Sequence, residues 1–576
     1  MGKLSIIMLF TLLLISSAFS ENFVVVNSFD GRDVLSAVFY ANALDYPVKF
    51  MPSQGSSADI LAAKVGGGHD ILLIQSSELP ISGFVKTALE SRNNTVELFS
   101  SSEGGETNLE LAIRSGAKKF IIVDSAYSDS ALSVLTYAAR TNSYVILANK
   151  DNIDDVEDVV QGAESIMIFG LVDAEVRAVL SKFNPEIVGN GEDRYEDNLL
   201  IVGRTMEEFG DADTVIANTG QFIEEGMAEG KMPILLSGRI VPQLTKQFIK
   251  TNVAEGRLKT ILLVSNDLVI PLYDLRDIIK RELKEETGED VTLGIIVKFG
   301  QAVPSAGTDV MPLDTFSLPA YVPALRIEEA VYNADSDEVM VTVENLGEGS
   351  AFYTNELRIS VDGADYLAVS DDVPQLIERD EKAGTSYSVD LSEVMEGEIT
   401  ATVITRYGYS KNVLDSWDSL SGPLTTINYT DISELAIQSA SYDPEKSRLL
   451  ITVRNNGAEP AFFRNDVDII LGGAPTVVKG TTQSIDGASL MVDGIPLVLS
   501  GEDFAANPTI TINMDYGARE GFLVKEQSYT LPLEKVEGFP LWLILLILVI
   551  LFTMIAVILF IVTRKRKKRT EERGQE

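Results

Sequence analysis

Between Leu541 and Val562 the chain runs for 22 residues without a charge, and Arg564-Lys565-Arg566-Lys567-Lys568-Arg569 follow almost at once. An apolar run of that length crosses a bilayer as one helix of roughly 30 Å. A basic cluster on its flank stays on the cytoplasmic side. Everything before residue 540 is then expected outside, provided the front end is exported. It has the features of an exported chain: Lys3 is a short positive region, Leu4 to Ser16 an apolar core, and Ala18-Phe19-Ser20 a small-x-small cleavage site. The expectation is a single-pass plasma-membrane protein with an extracellular ectodomain starting at Glu21.

Composition narrows what that ectodomain can do. The formal net charge is −38, and the basic tail makes the remainder more acidic still. Such a surface repels nucleic acid and anionic polymers, so nucleic-acid binding is excluded as a function class; divalent cations are compatible partners. There is no cysteine, so the domains must hold by packing alone. His69 is the single histidine, which rules out multi-histidine zinc sites and leaves little for a Ser-His-Asp triad. No catalytic residue, metal ligand set or cofactor motif is expected, and the chain is read as a non-enzyme.

The first half repeats three times. Each copy opens on a short apolar strand ending in small polar residues: Glu21 to Ser28, Lys118 to Ser125, and Ala212 to Thr219. A helical stretch follows, such as Ser130 to Thr141. A second strand comes next (Tyr46–Phe50, Tyr144–Ala148, Met232–Leu236), then a third (Asp70–Ile74, Ser165–Phe169, Thr260–Val264). An amphipathic helix, as at Leu272 to Leu283, leads to a closing strand. Continuous apolar strands alternating with helices predict parallel sheets covered on both faces. Ligands bind such sheets beyond the carboxyl ends of the strands. Asn27, Asp124 and Asn218 stand at those ends, where small polar residues also cap helices; capping is the plainer reading and ligand contact the alternative.

The third copy reads Gly191-Glu192-Asp193-Arg194-Tyr195-Glu196, then Ala212-Asp213-Thr214-Val215-Ile216-Ala217, then Met232-Pro233-Ile234-Leu235-Leu236-Ser237. This resembles the type 2 cell-wall-binding repeat of Gram-positive and archaeal surface proteins. The resemblance covers roughly residues 21–300 and implies three tandem α/β modules packed as a pseudo-trimer, with a cell-envelope polymer or a surface protein as partner. The second copy opens on Gly105-Glu106-Thr107-Asn108-Leu109, without the Arg-Tyr pair, and the first has no full opening motif. The acidity departs from the basic surface that suits gripping an anionic polymer. Asp193, Arg194 and Tyr195 are read as a contact between modules, with ligand contact as the alternative.

After a proline-rich linker, Val303 to Pro323, the period changes to two. Val339-Met340-Val341-Thr342-Val343-Glu344-Asn345-Leu346-Gly347 matches Leu449 to Gly457 at a constant offset of 110, and Ala351-Phe352 matches Ala461-Phe462. Two such copies predict β-sandwiches and resemble the immunoglobulin-like adhesion modules of prokaryotic surface proteins. Asn-x-Gly would make a turn, and Phe352 and Phe462 would fill the cores. As a stalk the pair would reach on the order of 80 Å.

The expected organisation is a signal peptide (1–20), α/β repeats (21–102, 103–190, 191–302), linker (303–323), sandwiches (324–425, 431–533), a transmembrane helix (541–562) and a basic cytoplasmic tail (563–576). Other motifs carry less. Gly66-Gly67-Gly68 precedes a strand, the wrong order for a phosphate loop. Asp151, Asp154, Asp155 and Asp158 lack calcium-loop spacing and read as a solvated helix start. Asn93 and Asn428 head glycosylation sequons. The expected function is a membrane-anchored, S-layer-like or adhesive surface protein whose head binds envelope components or neighbouring surface proteins. An extracellular solute receptor and a carboxylate or Ser–Lys hydrolase are the alternatives. The lack of a Leu-Pro-x-Thr-Gly sorting motif fits a wall-poor, archaeal envelope.

Overall fold

The computed structural model describes residues 22–536 except 53–56, 102–103, 211–212, 239, 299, 303–309, 313–314, 319–320, 392–397, 445 and 472–473. The signal peptide, the apolar segment 541–562 and the tail lie outside the described residues. Among those described, no helix is long and apolar enough to cross a membrane. The chain forms two compact units: Met1–Ile432 with Gly517–Val524, and Ser433–Tyr516 with Lys525–Glu576.

In the first unit, parallel α/β sheets come first. Strands β1 (Asn22–Asn27), β2 (Val48–Phe50), β3 (Asp70–Ser76) and β4 (Thr95–Ser101) lie in the order β2-β1-β3-β4. Strands β5 (Lys119–Asp124), β6 (Tyr144–Ala148), β7 (Ser165–Phe169) and β8 (Glu186–Val188) lie in the order β6-β5-β7-β8. The third set is β9 (Thr214–Asn218), β10 (Phe222–Glu224), β11 (Ile234–Leu236), β12 (Thr260–Leu263) and β13 (Gly294–Val297), with sheet order β11-β9-β12-β13. Every pairing within the three sheets is parallel. The apolar runs produce this result: Val24, Val25, Phe120, Ile121, Ile122, Val215 and Ile216 are all buried, as strands covered on both faces require.

The third copy departs from the expected helix after its first strand. It has only the short Glu225–Ala228 helix, preceded by β10, which pairs antiparallel with Thr315–Ser317 of the linker. The linker is therefore not bare of strand: Val310–Pro312 also pairs with Gly300–Ala302. Such two-stranded ribbons are all edge, where proline is tolerated.

Two amides join the repeats. Asn198, on the helix Arg194–Phe209, donates from Nδ2 to Ile234 O (2.8 Å) and Ser133 Oγ (3.0 Å) and accepts from Leu236 N (2.8 Å). Asn108, on the helix Gly104–Ser115, does the same to Val145 O (3.1 Å), Ser36 Oγ (3.1 Å) and Leu147 N (2.9 Å). Each reads the exposed backbone of an edge strand, β11 or β6, that would otherwise bury unpaired groups. The third seam is different: Glu225 meets Lys49 at 3.0 Å and Lys64 at 3.5 Å, and Phe316 packs edge-on to Phe50. Where the repeats meet, Gly230 has φ +61°, and a Cβ there would stand 2.4 Å from Ala139 Cβ, with Asn42 Nδ2 at 3.6 Å.

The remainder of the first unit is antiparallel. Strands Leu325–Asn333, Glu338–Asn345 and Lys382–Ser388 belong to one sheet; Ala351–Val361, Ala364–Ser370, Ile399–Gly408 and Ser416–Pro423 belong to another. Their inward residues, among them Val341, Tyr353, Leu357 and Val403, form one core. Gly517–Val524 adds Phe522 against Val331 and Met340.

The second unit, taken by itself, repeats this strand pattern, but Lys525–Lys535 pairs with both Leu435–Asp443 and Thr509–Gly517 and so links the strands into one eight-stranded sheet. Leu435–Asp443, Arg448–Asn455 and Ala461–Leu471 correspond to the first three long strands, and the same register shift falls between Ile437 and Ser439 as between Ile327 and Glu329. Asn345 and Asn455 both accept from the glycine two residues on (Gly347 N and Gly457 N, 2.9 Å each), so Asn-x-Gly makes the turn. The core assignment needs correction. Tyr353 and Phe463 belong to the clusters between the sheets; Phe352 is buried as expected but lies outside that cluster, and Phe462 is only partly buried. Strand side chains alternate, and the pairing of Ala351 and Ala461 inward sets the next inward position two residues on.

Candidate functional site

The motif Asp193-Arg194-Tyr195 opens the helix Arg194–Phe209. Asp193 is its N-cap and accepts from Tyr195 N at 2.9 Å, a common way to satisfy orphan amides. Its second oxygen accepts from Asn412 Nδ2 at 2.9 Å. The preceding Glu192 accepts from Lys411 N through its carbonyl at 2.7 Å and pairs with the Lys411 ammonium at 3.1 Å. Arg194 bonds Asp129 at 2.9 Å, and its guanidinium lies 4.5 Å from the Tyr195 ring centre and 4.2 Å from that of Tyr409. The trio thus joins three parts of one unit: the third repeat, the second repeat through Asp129, and the first sandwich through Tyr409 and Asn412.

Two tyrosines extend this junction. Tyr127 donates to Ser350 O (2.5 Å) and Tyr321 to Gly349 O (2.6 Å), with their rings edge-to-face at 4.8 Å. Lys150 pairs with Asp380 and Arg379 with Asp151, each at 2.8 Å. The acidic run starting at Asp151 is therefore a docking element at its first residue.

The strand-end residues separate into two kinds. Asn27 donates to Gln75 Oε1 (2.8 Å) and Ser82 O (2.7 Å) and accepts from Ser82 N (3.0 Å); Asn218 donates to Phe222 O (2.8 Å) and accepts from Gly220 N (2.7 Å). Both are fully buried and close their own loops. Asp124 accepts from Ala126 N at 2.8 Å. Burial, and then the charge of Asp173, push its carboxyl well above the usual range; burial likewise raises Asp173. Asp197 accepts from the backbone N–H of Asn190 and of Gly191, at 3.1 Å each, yet burial outweighs these bonds and pushes its carboxyl up to about 6.

A cavity of about 990 Å³ opens beside Asp193, Arg194 and Tyr195. It sits beyond the carboxyl ends of β9, β11 and β12, where Thr219, Ser237 and Asp267 follow the strands. The sheet order reverses between β9 and β12, and open α/β sheets bind ligands at such a switch point. Ser237 is fully buried, and neither its Oγ nor Thr219 Oγ1 has a hydrogen-bond partner. The rim is mixed: Ile240 is 87% exposed and Val322 68%, beside the exposed Gln243, Asp267 and Asp415. Buried hydroxyls below a rim of apolar and polar side chains can orient a ligand of mixed polarity. Of the residues singled out from sequence, Asp193, Arg194 and Tyr195 line this cavity, while Asn27, Asp124 and Asn218 do not. Ser237, Ile240, Val322 and Tyr409 were not singled out. Ser237 follows directly on the Ile234-Leu235-Leu236 strand, the one signal that pointed to it.

Asn93 and Asn428 are both exposed; Asn93 takes φ +59° in the turn before β4, and Thr430 of the second sequon donates to Asp335 at 3.1 Å. Among the described residues no group of three or more His, Cys, Asp or Glu side chains converges to hold a metal.

No protein-family model matches the chain, and no curated protein matches it. Among solved structures it is similar to Cwp8 from Clostridium difficile, at 17% identity and a TM-score of 0.37, over 45% of this chain and 47% of that one. The match thus spans about half of that protein's length. Red sea bream transglutaminase (10% identity, TM-score 0.13, 45% of this chain and 34% of that one) and the YadV chaperone (12%, 0.15, 36% and 99%) are further likenesses.

Proposed function

We propose that this is a non-catalytic, single-pass surface protein whose α/β head and first sandwich together hold an envelope component or a segment of a neighbouring surface protein. The three tandem modules of type 2 cell-wall-binding kind form the head, and immunoglobulin-like sandwiches carry it outside the plasma membrane on a β stalk. The cavity beside Arg194 carries this reading: about 990 Å³ at a strand switch point, with unpartnered hydroxyls on its floor. The topology rests on the apolar segment 541–562 and the signal-like front end.

The test uses the full-length chain in detergent, titrated by calorimetry with solubilised envelope material and with purified surface proteins. Ser237→Trp fills the cavity floor; Ile240→Asp changes the rim at an exposed position. Binding lost in both variants supports the reading, and binding unchanged in both defeats it. The cavity volume also suits a small solute; saturable binding of one metabolite, with no binding of envelope material, would favour the receptor reading. Protease shaving of intact cells should release fragments of residues 21–540, and their protection would overturn the topology.

A further inference from the structure

The second and third repeats bury the same kind of groove differently. In the third, the helix Arg194–Phe209 lies beside the helix Gln243–Ala254, and Met206 and Phe248 fill the space between them to a cavity of about 210 Å³. In the second, the corresponding helices are Gly104–Ser115 and Ile153–Val160, each about one turn shorter. The first of them stops at Gly116, φ +64°, where the staple residues Asn108 and Asn198 place Gly116 level with Met206. The groove is left open at about 730 Å³.

Its floor is apolar, with Leu109, Ala112 and Phe120 buried, and Ile113 stands on the wall 66% exposed. Its rim carries Glu106, Glu110, Asp155 and Asp158 against a single cation, Lys118, among the described residues. None of this belongs to the cavity beside Arg194. A groove between two helices, apolar below and acidic above, is complementary to a helix with leucine-like anchors on one face and lysine or arginine along its flanks. An anionic membrane surface or acidic polymer would be repelled by the same rim.

We propose that this groove docks a cationic amphipathic helix of another protein, giving the head a second interaction surface independent of the cavity at the third sheet. The ion pairs at the rim would steer and the apolar floor would hold, so affinity should fall with salt but not vanish.

The test is fluorescence anisotropy of the full-length chain with a labelled amphipathic leucine–lysine peptide of about 18 residues, long enough to form a helix on docking. A leucine–glutamate peptide of the same pattern serves as the comparison. Ile113→Asp removes an exposed apolar contact while adding negative charge. The proposal expects binding of the lysine peptide only, weakened about tenfold or more by Ile113→Asp and unchanged by Ile240→Asp. Equal or tighter binding to Ile113→Asp would show attraction by bulk charge alone and overturn it. So would sensitivity to Ile240→Asp in place of Ile113→Asp, or no binding to the unaltered chain.

Discussion

Arg194 lies with its guanidinium 4.2 Å from the ring centre of Tyr409, a residue of the first sandwich, and 4.5 Å from that of Tyr195, while it also bonds Asp129. Arg194→Ala should therefore destabilise the first unit by on the order of 3 kcal/mol, since it strands Asp129, only 9% exposed at its side chain. Arg194→Lys should recover only part, because an ammonium cannot stack on two rings and bond sideways. Urea unfolding of Arg194→Ala, Asp129→Asn and the double variant checks this; the double should cost less than the sum.

Asn198→Leu should leave Ile234 O and Leu236 N without their side-chain partners and cost about 2–4 kcal/mol. Asn108→Leu should cost a similar amount at β6. Amide exchange at Leu236 and Leu147 should speed up in the respective variants before global stability is lost.

Asp197 makes stability depend on pH. Its folded value, about 6, lies above that of an unfolded aspartate, so the native state binds more protons between those values. Stability from this group is present at low pH and is lost as pH rises from about 4 to about 6. Asp124 and Asp173 act in the same direction. Asp197→Asn should flatten that part of the profile, while lowering stability at pH 4 by leaving Asn190 N or Gly191 N unmatched.

Phe463→Ala should destabilise the second unit by about 3–5 kcal/mol, as emptying a buried aromatic site does. Phe462→Ala should cost about 1 kcal/mol or less, since that ring is only partly buried on the outer face. Equal effects would mean the strand register is shifted.

Gly191→Ala should fail on two counts. Its φ is +75°, and the added Cβ would stand 2.6 Å from Leu171 Cα. A loss of about 2 kcal/mol or more is expected in thermal unfolding.

The sheets were readable because their strands are uninterrupted apolar runs, and the sandwiches because alternation and Asn-x-Gly recur at one offset. The amide staples were in plain view as Asn108-Leu109 and Asn198-Leu199, but a buried asparagine looks like a surface one until its strand partner is known. The loss of the helix after β9 was hidden because Glu225–Ala228 is too short to show a period. Phe352 beside Tyr353 and Phe462 beside Phe463 left the inward face undecided, which pairing alone resolves. The cavity was least legible. Arg194 announced itself by its motif, whereas Tyr409 and Val322 come from distant parts of the chain and meet it only through long-range packing.

Among the described residues the seam between the third and first repeats shows no asparagine bonded to an edge strand in the manner of Asn108 and Asn198; Phe316, which follows all three repeats in sequence, packs against Phe50 there. The head is thus finished by chain that follows all three parallel sheets in sequence and that also completes the pairing of β10. A gene fragment ended neatly at residue 302 would yield a ring with its keystone missing, and the smallest self-sufficient head extends at least through Leu318.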